Sequence, residues 1–587
     1  MEHIEHSNID AVVFLDRDGT VVKEKGIINY PEALEFERGA VSAIRQLNKL
    51  GIPVFLITNQ PGIAKGIIQD YDSINAGLSQ MLHEAQIKLD GIYTCPHSEH
   101  DGCRCRKPSP YLIEQALNEN GLRPKRIYSV GDRMHDVQMA AAVGGIGFLV
   151  RTGFGQSEIK RYKDDVCCYK ADDVEDAVRQ IILLERKNGR PIFPIPQYRW
   201  PEISDQTERG VRKQLFESLS IRTNTGAIQL LENNWAAKTN RRYAVAYSSG
   251  TMALFAAYCS IGLQDGDEVI APAYGYFASV SPLLIKGVSV VFADTDDVGN
   301  LAAFEIERHI TERTKAVVVT HLYGNMSDCS KIFELAAKYR LKVIEDASHA
   351  LGASDGSFQA GTIGDVTVFS LQANKLAPAG EGGILLTDDL SIAQTAATIG
   401  HFRQYSQKLF NGTEAQYAFL TTGMGFKLRI HPLAAAIGIE SLANVDKVRA
   451  GRQCCAEKMM RLLSSAGLQI TGPLNGLSFY NLPLLLPDWA IGKTEDITAK
   501  LKSKGLTSDF NHNSNCMLPA LPIFHTPNMY YPNHKKAVFE EYPHAERFAR
   551  RIFLLPLWHR EYEYEIGIAY AKEVCVIIDQ YKEEKNA

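Results

Sequence analysis

Short apolar segments that alternate with helix-like segments constrain this chain most, because they recur in two separate series along its 587 residues. The first series is AVVFL, IPVFLIT, RIYSV and GIGFLV, and the second is DEVIAPA, SVVFAD, AVVVTHLYG, LKVIEDAS and DVTVFS. Continuous apolar strands separated by helices are typical of parallel, doubly wound sheets that are covered on both faces. The length is too great for one core and implies roughly three or four domain-sized units.

A proline-rich segment, RKNGRPIFPIPQYRW, separates the two series. Its prolines favour a semi-rigid spacer, with few signals for a helix or a strand. We therefore expect a first α/β domain at residues 9–187, a linker at 188–200 and a second unit at 201–587. The second unit is long enough for a large α/β domain followed by a smaller α+β domain.

Composition and charge narrow the class of protein. The net charge of −5 gives no reason to expect nucleic acid or an anionic membrane as a partner. The start of the chain lacks the features of a secretory signal, and no apolar stretch is long enough to span a bilayer. Eleven cysteines, an odd number, suggest reduced thiols and a metal cluster rather than a disulfide framework. We expect a soluble, cytoplasmic protein.

Polar residues follow three strands of the first series. Asp16 and Asp18 follow the first strand in FLDRDGT, Thr58 ends the second, and Asp132 follows the third. Ligands bind beyond the carboxyl ends of such strands, so these side chains should converge. Two carboxylates this close need a cation, and Asp132 can complete a Mg²⁺ site.

The same residues suit phosphoryl transfer. A carboxylate such as Asp16 can attack phosphorus, with a neighbouring aspartate as acid and base. Thr58 and Lys107 can hold the phosphoryl oxygens. An acidic turn or a calcium-binding loop is the alternative for DxDGT alone. The motifs TNQ, RKP and GDxxxD, which follow in order, disfavour that alternative.

These motifs resemble the haloacid-dehalogenase (HAD) superfamily over the whole first unit. The resemblance implies an aspartyl-phosphate on Asp16, acid–base chemistry by Asp18, and Asp136 as a more distant acid. It implies Mg²⁺ ligands Asp16, Asp18 and Asp132, and phosphate binding by Thr58, Asn59, Arg106 and Lys107. LDRDGT, TNQPGIAKG and a cysteine cluster are most similar to heptose 1,7-bisphosphate phosphatases, although histidinol-phosphate phosphatases share most of these features. Pro61 departs from the serine that is usual in the heptose enzymes.

The cysteine cluster, CPHSEHDGCRC, predicts a second metal site. Cys95, His97, Cys103 and Cys105 offer three thiolates and one imidazole, a set that suits structural, tetrahedral Zn²⁺. Surface thiols beside a chance histidine are the alternative, and His100 is a spare histidine. We expect a closed zinc site that orders the loop carrying Arg106 and Lys107.

Motifs of the second unit indicate a phosphorylated aromatic cofactor. In SSGTMAL, the amides of Gly250 and Thr251 can meet a phosphate at the start of a helix. Pyridoxal phosphate needs a carboxylate for its ring nitrogen and a lysine for its aldehyde. Asp346 ends the strand LKVIED, and Lys375 follows the next strand. Taken singly, each of these residues could be an ordinary surface or core residue. Their order along the chain, with the phosphate loop before Asp346 and Lys375, favours the cofactor site.

This set of motifs resembles the DegT/DnrJ/EryC1/StrS sugar aminotransferases, a fold-type-I pyridoxal phosphate family. The segments that match are SSGTMAL, APAYGYFAS, THLYGN, VIEDASHALGA, FSLQANKLAPAGEGG and GFKLRIHPLAAAIG. The resemblance implies that Lys375 bonds to the cofactor aldehyde and transfers the proton during the 1,3-shift of transamination. It also implies that Asp346 holds the ring nitrogen. It also implies that Tyr276 stacks on the ring, and that Gly250, Thr251 and Ser370 bind the phosphate. The retained lysine disfavours the dehydratase branch, in which histidine replaces it.

Two positions depart from that family. His349 stands where glutamine usually lies near the phenolic oxygen of the cofactor. An imidazole can donate the same hydrogen bond, but we expect its protonation to make the cofactor site sensitive to pH. Lys427 stands where asparagine is common, in a loop that reaches the partner's cofactor phosphate in the family's dimers. We therefore expect Lys427 to contact that phosphate in a homodimer, with an exposed lysine as the alternative.

Together, the two resemblances predict a bifunctional enzyme of sugar metabolism. One half should hydrolyse a sugar phosphate, and the other should transfer an amino group from glutamate or glutamine to a keto-sugar, often nucleotide-linked. The alternatives are a histidinol-phosphate-like phosphatase half, or one half that is catalytically silent and structural or regulatory. The residues do not identify the sugars or indicate channelling between the sites.

Overall fold

The computed structural model describes residues 11–162, 168–187, 200–201, 203–402, 405, 407–412, 414–503, 506, 515–525, 531 and 540–586. The chain divides into two compact units, residues 1–196 and 197–587. Residues 9 and 10, and all of the expected linker except Trp200, lie outside the described residues.

The first unit contains a parallel sheet of six strands in the order β3-β2-β1-β4-β5-β6. Its strands are β1 Ala11–Leu15, β2 Val54–Asn59, β3 Gly91–Cys95, β4 Arg126–Gly131, β5 Ile146–Val150 and β6 Tyr169–Ala171. The structure confirms the doubly wound α/β fold expected here. The edge strands β3 and β6 were not predicted, because they carry partly exposed side chains and no continuous apolar run.

Helices cover both faces of this sheet. They span Ala40–Lys49, Pro61–Ala64, Tyr71–Glu84, Tyr111–Glu119, Met134–Ala141, Gly155–Arg161 and Val174–Lys187. Along β1, Val13 and Leu15 pack in one apolar cluster, while Val12 and Phe14 pack in another. Successive side chains of a strand point to opposite faces, so a strand buried on both faces must be apolar throughout.

The second unit is built on a sheet of seven strands in the order β10-β8-β11-β12-β13-β14-β7. The strands are β7 Tyr243–Tyr247, β8 Glu268–Pro272, β10 Ser289–Ala293, β11 Thr314–Thr320, β12 Lys342–Asp346, β13 Val366–Ser370 and β14 Gly383–Thr387. β14 runs antiparallel to both of its neighbours, and the other pairs are parallel. This architecture confirms the large α/β domain expected for a fold-type-I aminotransferase.

A smaller antiparallel sheet follows, in the order β15-β16-β18, with strands β15 Gln469–Ile470, β16 Leu482–Leu485 and β18 Ile552–Leu555. A further antiparallel pair joins β9 Tyr274–Tyr276 to β17 Asn515–Met517. The longest helix, Pro432–Leu463, packs against the last one, Tyr564–Asn586. These elements form the smaller α+β part that the sequence predicts.

The other helices of the second unit span Asp205–Glu217, Gly226–Thr239, Gly250–Ser260, Pro282–Ile285, Ala303–Ile306, Cys329–Tyr339, Leu390–Thr398, Thr494–Ser503, Pro522–His525 and Pro543–Ala549. Within the described parts of both units, we find no helix with the length and apolar character needed to cross a bilayer.

Two candidate active sites

Three carboxylates meet at the carboxyl ends of β1 and β4 in the first unit. One oxygen from each of Asp16, Asp132 and Asp136 lies within 4.8 Å of the other two, and all three residues are buried. Burial raises the pKa of Asp16 well above its usual value, despite the opposing charge of Lys107. Burial also raises the pKa of Asp132 to about 7. Three buried carboxylate oxygens are a donor set that suits Mg²⁺.

Lys107 lies among these carboxylates. Its Nζ donates to Asp136 Oδ1 at 2.5 Å and to the carbonyl of Ile57 at 3.0 Å, and it also contacts the Asp16 carboxylate. Burial alone would lower the pKa of Lys107, but Asp136 and Asp16 hold it above its usual value. The main-chain N–H of Lys107 donates to Asn59 Oδ1 at 3.1 Å, which ties this loop to the end of β2. Lys107 is thus a fixed cation.

Asp18 lies apart from the carboxylate cluster and has different partners. Its carboxylate accepts hydrogen bonds from Arg17 Nε at 3.0 Å and from Gln60 Nε2 at 2.8 Å. Gln60 also donates to Thr58 Oγ1 at 2.7 Å. The sequence interpretation placed Asp18 among the metal ligands and overlooked Gln60, although the motif TNQ contains it. The geometry joins Asp18 and Thr58 through Gln60.

Two glycines allow the loops around Asp132 to approach closely. A Cβ atom at Gly19, where φ is +80°, would lie 2.3 Å from Asp132 Oδ2, and one at Gly153 would lie 2.1 Å from it. The N–H of Phe154 donates to the same oxygen at 2.7 Å. The Asp132 carboxylate is therefore oriented by main chain that only glycine permits.

The four expected zinc ligands lie together at the end of β3 and in the loop after it. The Sγ atom of Cys95 lies 3.6 Å from that of Cys103 and 3.3 Å from that of Cys105, and Cys103 and Cys105 are 3.7 Å apart. His97 Nδ1 lies 3.2 Å from Cys105 Sγ. Two sulfurs bound at about 2.3 Å to one tetrahedral zinc lie about 3.8 Å apart, so the donor set fits this ion. The exposed His100 is not part of the group.

This cluster also supports the loop that carries Lys107. Arg106 and Lys107 directly follow Cys105, and the Arg106 guanidinium donates to the carbonyl of His97 at 3.2 Å. Ordering the cysteine loop therefore also orders the approach of Lys107 to the carboxylates.

In the second unit, Lys375 and Asp346 follow neighbouring parallel strands. Lys375 lies beyond β13, in a cleft that is also lined by Ser370, His349 and Tyr480. Burial of its amine lowers the pKa of Lys375 to about 8, with the Asp346 charge opposing the shift. About a tenth of this amine is therefore uncharged at pH 7, far more than for an ordinary lysine, and bond formation with an aldehyde requires the uncharged form.

Asp346, at the end of β12, is held by two donors. Ser279 Oγ donates to Oδ2 at 2.6 Å, and the N–H of Ser348 donates to Oδ1 at 3.1 Å. Ser279 was not singled out from the sequence, although it ends the motif APAYGYFAS. An oriented, buried carboxylate can keep a pyridine nitrogen protonated.

The expected phosphate site lies at the start of the helix Gly250–Ser260. Ser249 caps this helix by accepting from the N–H of Met252 at 3.2 Å. A Cβ at Gly250 would lie 2.9 Å from Ser370 Cβ, so the helix start and the end of β13 meet only because residue 250 is glycine. Free amides at such a helix start favour a phosphate, and Thr251 and Ser370 add hydroxyls. The arrangement fits the phosphate of pyridoxal phosphate.

His349 is neutral in this site. Burial lowers its pKa well below the usual value, and the positive charge of Lys375 lowers it further. Its Nδ1 accepts from the N–H of Tyr323 at 3.4 Å, which leaves the proton on Nε2. The sequence interpretation expected a pH-sensitive imidazole, whereas these surroundings favour a constant neutral donor.

The structure does not bring Tyr276 and Lys427 into the cleft beside Lys375. Tyr276 is 40% exposed and lies on the short strand β9, where its ring contacts Phe277 with centroids 4.6 Å apart. Lys427 is exposed. The expected stacking role of Tyr276 and the expected contact of Lys427 therefore stay predictions.

Comparison with known proteins gives two family matches. The DegT/DnrJ/EryC1/StrS aminotransferase family matches residues 203–566. A HAD-hydrolase-like family matches residues 104–177. The two matches support the interpretation of the chain as a fusion.

Individual relatives match part of the chain. GDP-perosamine synthase of Escherichia coli O157:H7 is 33% identical over 253 residues, which are 43% of this chain but only 66% of that protein. L-Glutamine:2-deoxy-scyllo-inosose aminotransferase of Streptoalloteichus tenebrarius is 30% identical, over 64% of this chain and 89% of its own length. The structure of an aminotransferase from Psychrobacter cryohalolentis, 22% identical, superposes with a TM-score of 0.58 over 65% of this chain and all of that one.

Proposed function

Because the chain belongs to the DegT/DnrJ/EryC1/StrS aminotransferase family, we propose that residues 201–587 transfer an amino group to a keto-sugar with pyridoxal phosphate as cofactor. The observation that carries this proposal is the pairing of Lys375, whose pKa is lowered to about 8, with the oriented carboxylate of Asp346. Bound pyridoxal phosphate supplies an electron sink that makes the proton beside the amine labile.

The residues of the cleft would have separate roles in this transamination. Lys375 would hold the cofactor through its aldehyde and, as a free amine, would accept and return a proton at Nζ. Asp346 would keep the ring nitrogen protonated, and His349 would donate from Nε2 to the phenolic oxygen. The phosphate would be bound by Gly250, Thr251 and Ser370. This assignment rests on the close approach of the helix start to Ser370. Tyr276 would stack on the ring, a role that the family resemblance supports rather than the lining of the cleft.

A nucleotide-linked keto-sugar is the acceptor that we propose. GDP-perosamine synthase is named for a nucleotide-linked amino sugar, which supports this class of acceptor. The amino donor is glutamate or glutamine, and glutamine is the donor in the name of the second relative. We also propose a homodimer in which Lys427 reaches the partner's cofactor phosphate, since Lys427 is exposed on its own chain.

For residues 9–187 we propose hydrolysis of a sugar phosphate, with heptose 1,7-bisphosphate as the first candidate. Asp16 attacks phosphorus, the ester P–O bond breaks, and Asp18 gives a proton to the departing sugar oxygen. Water then cleaves the aspartyl-phosphate, with Asp18 taking its proton. Thr58, Asn59, Arg106 and Lys107 hold the phosphoryl oxygens, a role supported by the position of Lys107 at the Asp16 carboxylate.

Two metal ions belong to this half of the proposal. The cluster of Asp16, Asp132 and Asp136 would hold Mg²⁺, which neutralises the phosphate, and Asp18 acts as acid and base outside the cluster. Cys95, His97, Cys103 and Cys105 would hold structural Zn²⁺, with no position open for catalysis.

A substrate screen on the full-length chain tests both activities. Sugar phosphates, including heptose 1,7-bisphosphate and histidinol phosphate, are assayed for phosphate release with Mg²⁺. Glutamate and glutamine are assayed for conversion of the bound cofactor to its amine form, followed by regeneration with keto-sugars. We expect both reactions. Absence of phosphate release from every sugar phosphate would favour a silent, structural first half, and absence of cofactor conversion would favour a cofactor-binding regulator.

A further inference from the structure

The amine of Lys375 lies against the face of an aromatic ring. Its Nζ is 4.8 Å from the ring centroid of Tyr480, which precedes β16 in the smaller domain. This ring stacks on His349, with centroids 4.8 Å apart and planes 6° from parallel. His349 in turn stacks on Tyr323, at 5.8 Å and 9°. Three nearly parallel rings are therefore stacked, and the Lys375 amine lies over the ring of Tyr480.

The backbone that carries Tyr480 is fixed in an unusual conformation. Phe479 is completely buried and has a φ of +58°, in the left-handed region that a bulky side chain rarely adopts. The buried Arg452 donates to the carbonyls of Phe479 at 3.3 Å and Tyr480 at 2.9 Å. Ser478 Oγ donates to the carbonyl of His349 at 2.5 Å. Strain of this kind persists where its surroundings over-determine the conformation, as is common at functional sites.

The same arginine reaches the backbone of Lys375 through Trp200. The Arg452 guanidinium lies over the Trp200 ring, 4.3 Å from its centroid. The indole N–H of Trp200 donates to the carbonyl of Lys375 at 3.1 Å. Lys375 is thus restrained at its backbone by Trp200 and at its amine by Tyr480, and both restraints rest on Arg452.

We propose that Tyr480 is a positioning residue for Lys375: its ring holds the amine where the cofactor aldehyde arrives, while Trp200 and Arg452 fix the two backbones. The inference rests on the proposed bonding of Lys375 to pyridoxal phosphate. Asp346 and His349 are the other titratable groups whose interactions with Lys375 the structure shows, and His349 is neutral.

The ring has a measurable electrostatic effect. An aromatic face attracts a cation, so the Tyr480 ring favours the charged amine, whereas burial favours the neutral one. Removing the ring should lower the pKa of Lys375 below about 8. A residue that merely filled space would change stability without this shift.

The test compares Tyr480→Leu with Tyr480→Phe, which keeps the ring. Tyr339→Leu is the matched control, because the Lys338 amine also lies 4.8 Å from the Tyr339 ring, away from this site. The cofactor-free, full-length chain is acetylated with trace acetic anhydride from pH 6 to 10, and labelling of Lys375 is followed by peptide mass spectrometry. We expect Tyr480→Leu to lower the labelling midpoint by about half to one pH unit, and both other variants to keep the wild-type midpoint.

The rate of pyridoxal phosphate capture gives a second readout, by absorbance. We expect Tyr480→Leu to slow capture about tenfold, because the loss of positioning outweighs the larger neutral share of the amine. Trp200→Phe, which removes only the indole donor, should also slow capture while leaving the midpoint unchanged. Tyr480→Met replaces Tyr480→Leu if the leucine variant shows no cooperative thermal transition.

The proposal would be overturned if Tyr480→Leu keeps both the wild-type labelling midpoint of Lys375 and the wild-type rate of pyridoxal phosphate capture. Wild-type capture by Trp200→Phe would overturn the restraint through the backbone. If the wild-type chain captures no cofactor, the proposed aminotransferase function fails, whereas the labelling midpoints still decide the role of Tyr480.

Discussion

Two lysines, one in each unit, have amines withdrawn from water, and their surroundings move their pKa values in opposite directions. At Lys107, Asp136 and Asp16 outweigh the effect of burial and hold the pKa above its usual value. At Lys375, burial dominates and lowers the pKa to about 8, because Asp346 is the one carboxylate that opposes it. The number of carboxylates beside each amine accounts for the difference.

This difference matches two kinds of chemistry. A permanent cation at Lys107 suits the binding of a phosphoryl group, whose oxygens stay negatively charged throughout the reaction. An amine that loses its proton near neutral pH suits a nucleophile and a proton carrier at Lys375. The chain thus uses the same residue type as a fixed charge in one half and as a reactive group in the other.

Reciprocal knockouts should break the two activities separately. Asp16→Asn should abolish phosphate release and leave transamination intact, and Lys375→Ala should do the reverse, because each removes the atom that forms a covalent bond. Asp72→Asn and Lys447→Ala change exposed residues of the same types and should retain both activities. Loss of both activities in either knockout would contradict two independent sites.

Removal of zinc should affect the first unit alone. Cys103→Ser deletes one of four ligands, and structural zinc contributes about 10–16 kcal/mol of apparent binding free energy. We expect loss of zinc by atomic absorption and loss of phosphate release, with transamination unchanged. Cys454→Ser, at an exposed cysteine, is the control. A chain that binds no zinc before mutation would refute the metal site.

Replacement of each lysine by methionine should have opposite effects on stability. Lys107→Met leaves buried carboxylates unpaired and should destabilise the first unit by about 3–5 kcal/mol. Lys375→Met removes a desolvated amine and should be neutral or stabilising by about 1 kcal/mol. The metal-free and cofactor-free chain is unfolded in urea, and unfolding is monitored by hydrogen exchange at β1 and β13. These two strands report separately on the stability of the first and the second unit. The exposed Lys65→Met is the control, and equal effects at both sites would contradict the comparison.

The pH dependence of stability should also reflect the lowered pKa of Lys375. Between about pH 8 and 10.5, the unfolded chain keeps a proton on Lys375 that the folded chain has lost. The free energy of unfolding of the second unit should therefore rise with pH in this window, by up to about 3 kcal/mol, relative to Lys375→Met. A difference between wild type and variant that does not change from pH 8 to 10 would contradict the lowered pKa.

Local patterns predicted the parts of the fold that are buried on both faces. β1 is a continuous apolar run, and β13 is apolar apart from Thr367 and Ser370, because both strands are largely buried; such runs are visible in sequence. β14 was not predicted, although GILLT is equally apolar and buried; its antiparallel place between β13 and the distant β7 is not visible in the sequence. Its neighbours are set by topology rather than by its own residues.

The residues of the candidate sites also fall into a group that the sequence predicts and a group that it does not. Residues that follow strands, such as Asp16 and Asp346, could be predicted because strand ends converge. Gln60 orients Asp18, and Ser279 orients Asp346, through side-chain contacts that no spacing rule shows. Tyr480 reaches Lys375 from another domain of the unit, so only the folded chain reveals it.

Covalent mapping of pyridoxal phosphate tests the contrast between the two lysines most directly. The full-length chain is mixed with pyridoxal phosphate at pH 8, reduced with borohydride and analysed by peptide mass spectrometry. The account predicts near-complete modification of Lys375 and none of Lys107, because only the first amine readily loses its proton. Modification of Lys107, or an unmodified Lys375, would contradict it.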